Sequence, residues 1–400
     1  MKKSTLVILI GTLTVGIAMG ARQSFGLLLQ PMTEALATGR ETFSLSLALQ
    51  NILFGLPLAG ILADRIGARW VIVGGATLYA GGFVLLSISG SIVNLYLGLG
   101  IMIGLALSAT SYVVVLGAVA QIVPAEKRGS AFGIVTAAGS LMTFALVPGI
   151  QWLLSSVGWE TTLLYGAAVV GGIAVIALAY PTRSTGCTDA EDTATEDFTD
   201  VLNRARKHSG YLLLNAGFFV CGFHVAFIAT HLPSYLADHG LPKMVAATAL
   251  SLIALFNMGG SYLFGRLGDR YRKKYLLSFL YFTRAIVISC FLIVPVTNAT
   301  ALIFACAIGF LWLATVPLTS GTVAQIFGTR HLSSLYGIVF FSHQVGGFLG
   351  VWLGGRIYDA TGSYNSVWVG AIILGVAAAI VHIPIKDQVF KNVDTIEATT

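Results

Sequence analysis

The chain has 400 residues, of which 56% are hydrophobic and only 10% are charged. Soluble domains carry about 25% charged residues, so this composition excludes an ordinary soluble protein and indicates a chain that crosses a membrane several times. The formal net charge of +6 does not indicate nucleic-acid binding, because the basic residues lie in loops at the ends of apolar runs. The four cysteines form no disulfide pattern, since three of them lie within apolar runs.

Twelve apolar runs are long enough to cross a bilayer, which takes roughly 20 residues per helix. In chain order they cover about 5–30, 43–63, 70–90, 94–122, 130–153, 160–180, 210–235, 245–267, 275–295, 300–325, 334–356 and 364–385. The longest polar segment, 181–208, separates six runs from the other six. The sequence therefore predicts an all-α membrane protein with twelve transmembrane helices in two six-helix bundles, 1–180 and 209–400, joined by a cytoplasmic linker.

Two stretches of the chain share one pattern and reveal an internal repeat. Gly60 stands four residues before Asp64 and Arg65, and the same spacing joins Gly265 to Asp269 and Arg270, 205 residues later. The segments 119–122 and 323–326 both read Val-Ala-Gln-Ile, at a spacing of 204. The two bundles are therefore expected to be pseudo-symmetric copies of one unit of about 200 residues.

The distribution of Lys and Arg predicts the orientation in the membrane. If the N-terminus lies in the cytoplasm, 18 of these residues fall on the cytoplasmic side and 3 on the outer side. We therefore expect both termini and the linker to lie in the cytoplasm, with the protein embedded in the inner cell membrane.

Twelve spans in two parallel halves, with Gly-x-x-x-Asp-Arg after the second and the eighth, resemble the major facilitator superfamily. The resemblance implies a central cavity near the midplane, lined by spans 1, 4, 7 and 10, and transport by rocking of the two bundles. Within that superfamily, the stretch Arg-Gln-Ser-Phe-Gly at 22–26, followed by Pro31, resembles the first span of bacterial carriers of the monocarboxylate porter and oxalate/formate antiporter type. Those carriers usually place an arginine in the eighth span, where this sequence has Ser261.

The resemblance also gives the repeated loop motif a role. It implies a latch that holds the bundles together when the cytoplasmic side is closed, whereas ordinary interfacial charge is the alternative. The expected latch residues are Gly60, Asp64, Arg65, Arg69, Gly265, Asp269 and Arg270.

Ionisable side chains within the spans are further candidates, because they are costly in hydrocarbon. No Asp or Glu lies deep in a predicted span, whereas two arginines and two histidines lie near the middle of one. Arg22 and His224 are expected at similar depths, nine residues before Pro31 and Pro233 respectively, and to be repeat-related positions on spans 1 and 7. A buried cation that lacks a protein carboxylate needs another anion, and an anionic substrate is the simplest source.

We expect Arg22 to anchor a carboxylate, because its guanidinium fork matches two carboxylate oxygens. The other expected substrate contacts are Tyr112, His224, Arg284 and His343. Local alternatives remain open: Arg22 can bond nearby side chains or backbone carbonyls, Arg284 can serve packing, and each histidine can satisfy one local hydrogen bond. Asn51 and Asn257 are expected to be repeat-related hydrogen-bonding residues.

The sequence thus predicts a monomeric secondary carrier that moves a small organic anion, a monocarboxylate, by alternating access. Coupling to protons or to a counter-anion stays open. A proton-driven drug or metabolite exporter is one alternative, and a membrane sensor on the same scaffold is another. Phosphate-binding loops, metal-spaced His/Cys sets and Ser-His-Asp sets are absent from the sequence, so we expect neither enzyme activity, nor a cofactor, nor a metal site.

Overall fold

The structure is a computed structural model, and it describes residues 3–56, 58–88, 90–123, 125–180, 198–328 and 332–388. Within these ranges the chain is helical and contains no strands. This follows from the apolar composition, because hydrocarbon offers no hydrogen bonds and a helix satisfies its backbone groups within one segment. Ten helices in the described residues are long and apolar enough to cross a membrane.

The difference between ten helices and the twelve predicted spans has two local causes. Span 2 is divided into α3 (Arg40–Gly55) and α4 (Leu58–Ile66), neither of which is long enough alone. Spans 5 and 6 are continuous in α9 (Ala125–Ala177) and meet at Gly158. Gly158 has a φ of +81°, a conformation that glycine adopts without a Cβ clash, and the chain turns there. The twelve-span prediction is therefore confirmed.

The first bundle contains spans 1 to 6. Span 1 consists of α1 (Lys3–Gln23) and α2 (Phe25–Ala35), which meet at Ser24. Span 3 is α5 (Ala68–Ser87). Span 4 consists of α6 (Ile92–Leu95), a π-helical segment (Tyr96–Met102), α7 (Ile103–Thr110) and α8 (Tyr112–Ile122).

The second bundle follows α10 (Phe198–Lys207), a short polar helix that precedes span 7. Its elements are span 7, α11 (Ser209–Asp238); span 8, α12 (Lys243–Arg270); span 9, α13 (Lys273–Ile293); span 10, α14 (Asn298–Leu311) with α15 (Thr315–Phe327); span 11, α16 (Leu332–Thr361); and span 12, α17 (Asn365–His382). The predicted linker boundaries stay a prediction, since residues 181–197 lie outside the described residues.

Spans 4 and 10 are interrupted at equivalent positions. Ser111, between α7 and α8, has an extended backbone, and residues 312–314 separate α14 from α15. Ser111 and Thr315 are 204 residues apart, which is the spacing of the sequence repeat. Carriers commonly build their sites from interrupted helices of this kind, because the break leaves backbone groups free to bond.

Close helix packing explains part of the high glycine content. Gly222 of span 7 lies against the carbonyl group of His343, and Gly346 of span 11 lies against the carbonyl group of Phe219. A Cβ at either glycine would overlap the facing backbone. Spans 7 and 11 therefore approach each other at backbone contact, as small residues allow in membranes.

The two bundles touch through spans 2 and 11, spans 5 and 8, and the second half of span 1 with span 7. We call the end that carries α10 and the residues after span 12 the linker end, and the opposite end the distal end. At the linker end, Arg272 bonds Asp387 at 2.5 Å, and this bond lowers the pKa of the Asp387 carboxyl. This ion pair fixes the start of the C-terminal tail against the second bundle.

Candidate functional site

Arg22 lies beside the break in span 1, at the interface between the bundles. Its Nη2 donates to Oδ1 of Asn51 on span 2 at 2.6 Å, and its guanidinium lies over the ring of Phe54, 5.3 Å from the centroid. The Nε atom is buried and has no hydrogen-bond partner among the described residues. Arg22 thus keeps donor capacity and, within the part of the chain described, pairs with no carboxylate.

A small cavity of about 30 Å³ adjoins this guanidinium. Spans 1, 2 and 7 line it, with Arg22, Asn51 and Ala226 among the lining residues. On the linker side of Arg22, and outside the cavity wall, Phe54 of span 2 contacts Phe340 of span 11 with ring centroids 5.7 Å apart. The cavity therefore lies between the two bundles, where a carrier must hold its substrate.

Toward the distal end, Gly26 brings span 1 onto span 7. A Cβ at Gly26 would lie 3.0 Å from the carbonyl oxygen of Thr230 and closer still to that of Ala229. Only glycine permits this approach, so backbone contact bounds the cavity on the distal side of Arg22.

Tyr112 is the first residue of α8, directly after the break at Ser111. Its phenol lies within electrostatic range of Arg22, as does the phenol of Tyr79 on span 3. The Tyr112 hydroxyl also lies against Gly139, where a Cβ would stand 2.5 Å from it. The interruption of span 4 therefore directs one of the predicted contacts toward Arg22.

His224 lies away from Arg22. Its Nε2 is 2.7 Å from the carbonyl oxygen of Ala371 on span 12, and its side chain is fully buried next to Gly375. The structure therefore places His224 between spans 7 and 12 of the second bundle and does not bring it to the cavity.

Arg284 binds the broken part of span 10. Its Nε and Nη2 donate to the carbonyl oxygen of Leu311 at 3.1 and 2.5 Å, and Nη2 also contacts the carbonyl oxygen of Trp312. Its Nη1 lies 3.4 Å from Sγ of Cys221. The side chain is 1% exposed, so its donors are used within the second bundle.

His343 lies close to the interface between the bundles. Its ring stacks on Phe340, and its centroid lies 4.9 Å from that of Phe218. Both ring nitrogens are buried and have no hydrogen bond of normal geometry among the described residues. Because Phe340 contacts Phe54, and Phe54 lies against the Arg22 guanidinium, these two rings lie between His343 and Arg22.

The two predicted asparagines both bond at the breaks. Asn51 holds Arg22, as described above. Asn257 of span 8 accepts from the backbone N–H of Leu313 at 2.9 Å, within the gap of span 10, and donates to Ser140 of the first bundle at 3.4 Å. These amides therefore support the interrupted helices next to the bundle interface.

The loop motif lies at the linker ends of spans 2 and 8. The side chain of Asp64 lies outside the described residues, and Arg65 is exposed. Arg69 lies 5.4 Å from the ring centroid of Trp70. Asp269 and Arg270 are both exposed, and neither forms an ion pair among the described residues.

The distal end carries a set of cross-bundle ionic contacts that the sequence did not reveal. Arg40 of span 2 donates to both carboxylate oxygens of Asp238 on span 7, at 2.6 and 2.7 Å, and to the Tyr364 hydroxyl at 2.9 Å. Its guanidinium also lies 3.7 Å from the ring centroid of Tyr358.

Two further carboxylates complete this set. Asp359 of span 11 accepts from the backbone N–H groups of Arg40 and Glu41, at 2.9 and 2.7 Å, and so caps the N-terminus of α3. Glu41 in turn accepts from Arg356 at 3.0 Å. We call Arg40, Glu41, Asp238, Arg356, Asp359 and Tyr364 the distal polar layer. This layer holds the distal ends of spans 2, 7 and 11 together.

Charge reversal in the distal polar layer should open this end. In Arg40→Asp, repulsion from Asp238 replaces bonds worth about 1.5–3 kcal/mol, so the distal-open population should rise about 10-fold or more. Ser234 is 1% exposed at the distal end of span 7. In a variant with Ser234→Cys and no other cysteine, we expect correspondingly faster labelling by an impermeant maleimide. Adding Asp238→Arg to Arg40→Asp should restore slow labelling. Equal labelling rates with neither change, with Arg40→Asp alone and with both changes would show that the distal polar layer does not hold this end closed.

The family profile of the Major Facilitator Superfamily matches residues 9–351. The chain belongs to the Major Facilitator Superfamily. It is therefore a multi-pass membrane transporter of a family of carriers, and the two-bundle fold is the fold of that family. The predicted resemblance is confirmed at the level of the superfamily.

Relatives and solved structures agree with this assignment. Monocarboxylate transporter 13 of Rattus norvegicus is 27% identical over 393 residues, which cover 95% of this chain and 88% of the relative. The uncharacterized transporter YcxA of Bacillus subtilis (strain 168) is also 27% identical, and 95% of each chain is covered. A bacterial homologue of the human lysosomal transporter Spinster superposes with a TM-score of 0.80, at 15% identity over 98% of this chain and 99% of that one.

Proposed function

We propose that this transporter is a secondary carrier of small monocarboxylates and that Arg22 binds the substrate carboxylate. The observation that carries the proposal is the setting of Arg22: a guanidinium at a cavity between the bundles, with an unpartnered buried Nε and no carboxylate partner among the described residues. In the low dielectric of a membrane interior, a cation in this setting favours an anionic ligand.

The arrangement suits one carboxylate on a small body. Asn51 accepts one hydrogen bond from Nη2, which leaves Nε and the remaining donors for two carboxylate oxygens. Phe25, Leu47 and Val225 line the cavity with apolar side chains, which favour a short apolar body over a second charge. Several relatives are named monocarboxylate transporters, and their names support the same substrate class for this chain.

The remaining predicted residues receive different roles in this proposal. Tyr112 supplies a phenol near the carboxylate, and His343 supports Phe340 from behind. Arg284 caps the break in span 10, and His224 ties span 7 to span 12. Alternating access would then open the distal polar layer on one side and the Phe54–Phe340 contact on the other.

The position of the carboxylates favours this proposal over a proton-driven exporter of cations. Exporters of cations use an embedded carboxylate, whereas the Asp and Glu residues in the described spans lie at helix ends or turns. A proton can instead travel on the substrate or on a histidine, and exchange against another anion is equally open. Flux of labelled lactate, pyruvate, formate, oxalate and a neutral sugar into proteoliposomes, with and without a pH gradient, separates these cases. A sensor on this scaffold would move none of them.

We propose that the linker end faces the cytoplasm, as the distribution of Lys and Arg indicates. In a variant whose only cysteine is Cys187, in the linker, an impermeant thiol reagent should label inside-out vesicles but not intact cells. Labelling confined to intact cells would reverse the orientation.

We also propose that Asp64 belongs to a latch that closes the linker end when the distal end of the carrier is open. Asp64→Asn should then slow flux several-fold while substrate binding to the purified protein stays within about twofold, because Asp64 lies about 20 Å of helix from the Arg22 level. Unchanged flux would reduce the motif to ordinary surface charge.

A further inference from the structure

A second and larger cavity, of about 210 Å³, lies at the distal end between the bundles. Spans 1 and 5 of the first bundle and spans 7 and 8 of the second all contribute to its wall. Gly158, in the turn between spans 5 and 6, and Lys243, the first residue of span 8, mark its distal rim. The Arg22 cavity shares only Gly26 with it, so the two sites are distinct.

Two polar groups of this distal cavity, the Ser234 hydroxyl and the Lys243 ammonium, have no protein partner among the described residues. Ser234 is 1% exposed, and its hydroxyl has no hydrogen-bond partner among the described residues. Gln151 is 3% exposed and uses its amide nitrogen on Ser155 at 3.1 Å. Lys243 is exposed at the rim, and its ammonium makes no ion pair within the described part of the chain. A buried hydroxyl without a partner is costly, which indicates that a ligand completes the site.

The neighbouring carboxylates limit the charge that this cavity accepts. Asp238 lies close by, but it is held by Arg40 and by Gln30, which itself lines the cavity. Glu160 stands beside Gly158 at the rim. A ligand with one carboxylate can therefore meet Lys243 and Ser234, whereas a second negative charge would approach Glu160.

The rest of the wall is apolar. Leu27, Leu154 and Trp159 lie on the side of the first bundle. A protein cavity of about 150 Å³ lined by apolar side chains binds benzene. The distal cavity, at about 210 Å³, therefore has room for a ring-sized body together with one carboxylate.

We propose that the distal cavity is a second anion site, which binds an aromatic or branched monocarboxylate through Lys243 and Ser234. Its walls come from both bundles, so a ligand there binds only while the distal end is closed. Binding therefore stabilises this state by mass action and slows the cycle without competing at Arg22. The site goes beyond the carrier function proposed above and can exist even if the transported substrate is of another class.

Equilibrium binding of radiolabelled benzoate to the full-length protein in zwitterionic nanodiscs tests the proposal. Because Lys243 is exposed and solvent screens its charge, Lys243→Gln should weaken binding by up to about 5-fold. We expect Ser234→Ala to weaken it about 5-fold and Lys243→Arg to retain it. Lys207→Gln, which removes an exposed lysine of α10, is the matched control and should bind benzoate like wild type.

Arg22→Gln separates the two sites. We expect it to leave benzoate binding within about twofold, whereas loss of binding in Arg22→Gln together with retention in Lys243→Gln would overturn the proposal. Benzamide, which lacks the charge, should not compete. If added phosphatidylglycerol abolishes benzoate binding, the occupant is a lipid headgroup and the carboxylate proposal fails. Equal affinity of wild type and Lys243→Gln would likewise contradict it.

Discussion

Replacing Arg22 by Gln should lower the affinity for a monocarboxylate by about 10- to 100-fold, since a charge-assisted hydrogen bond is worth roughly 1.5–3 kcal/mol. Glutamine keeps a donor near the cavity but removes the charge that the substrate would neutralise. Arg22→Lys keeps the charge and loses the two-pronged donor geometry, so it should fall between wild type and Arg22→Gln. Binding of labelled lactate to purified protein measures the series.

Two variants separate recognition from folding in this experiment. Asn51→Ala frees the guanidinium from its 2.6 Å bond without removing the charge, so it should weaken binding less than Arg22→Gln. Each protein must elute as a single folded species, because an unfolded variant would also fail to bind. If folded Arg22→Gln binds and moves lactate like wild type, the anchor lies elsewhere.

The largest effect on stability is expected at Arg284. Its guanidinium satisfies the carbonyl oxygens of Leu311 and Trp312, which lie where span 10 is interrupted and have no helical partner. Hydrocarbon supplies no water to replace these bonds. Arg284→Leu should therefore cost about 2–5 kcal/mol, because each buried carbonyl left unsatisfied costs about 1–3 kcal/mol.

Thermal unfolding in detergent measures this change as a fall in the midpoint temperature. Thr283→Ala, on the exposed side of the same helix, removes only a local bond to Phe279 and should leave the midpoint unchanged. An unchanged midpoint in Arg284→Leu together with a loss of lactate binding would show that Arg284 is a substrate ligand and not a helix cap.

The spans and the repeat could be predicted from the sequence because both depend on local properties. About 20 apolar residues must form a helix in hydrocarbon whatever surrounds them. The interruptions in spans 4 and 10 could not be predicted, since the groups that stabilise them, such as Asn257 and Arg284, come from other helices. The break between α3 and α4 in span 2 is different, because Gly55 and Pro57 mark it in the sequence itself.

The expected depth of a residue in the membrane did not determine the face of the helix on which it lies. Arg22 and His224 are 202 residues apart, whereas the sequence repeat has a spacing of 204. The repeat spacing maps Arg22 onto Ala226, and Ala226 does line the cavity. Two residues correspond to about 200° of rotation around a helix, which is why His224 points toward span 12.

The distal polar layer escaped prediction for a different reason. Its partners are far apart in the chain: Arg40 is 198 residues from Asp238 and 319 from Asp359. Each residue alone looks like ordinary charge at a membrane surface. The sequence did contain one indication of this layer. Only three basic residues are predicted on the outer side, and two of them, Arg40 and Arg356, bond across the bundles.

Recognition of the carboxylate itself can be tested with a pair of nearly isosteric compounds. Lactate and lactamide have closely similar size and shape, but only lactate carries the charge that Arg22 would bind. In the same proteoliposomes at one pH, we predict uptake of labelled lactate at least 10-fold above that of lactamide, with lactamide equal to protein-free vesicles. Equal uptake of the two compounds would contradict an anion carrier.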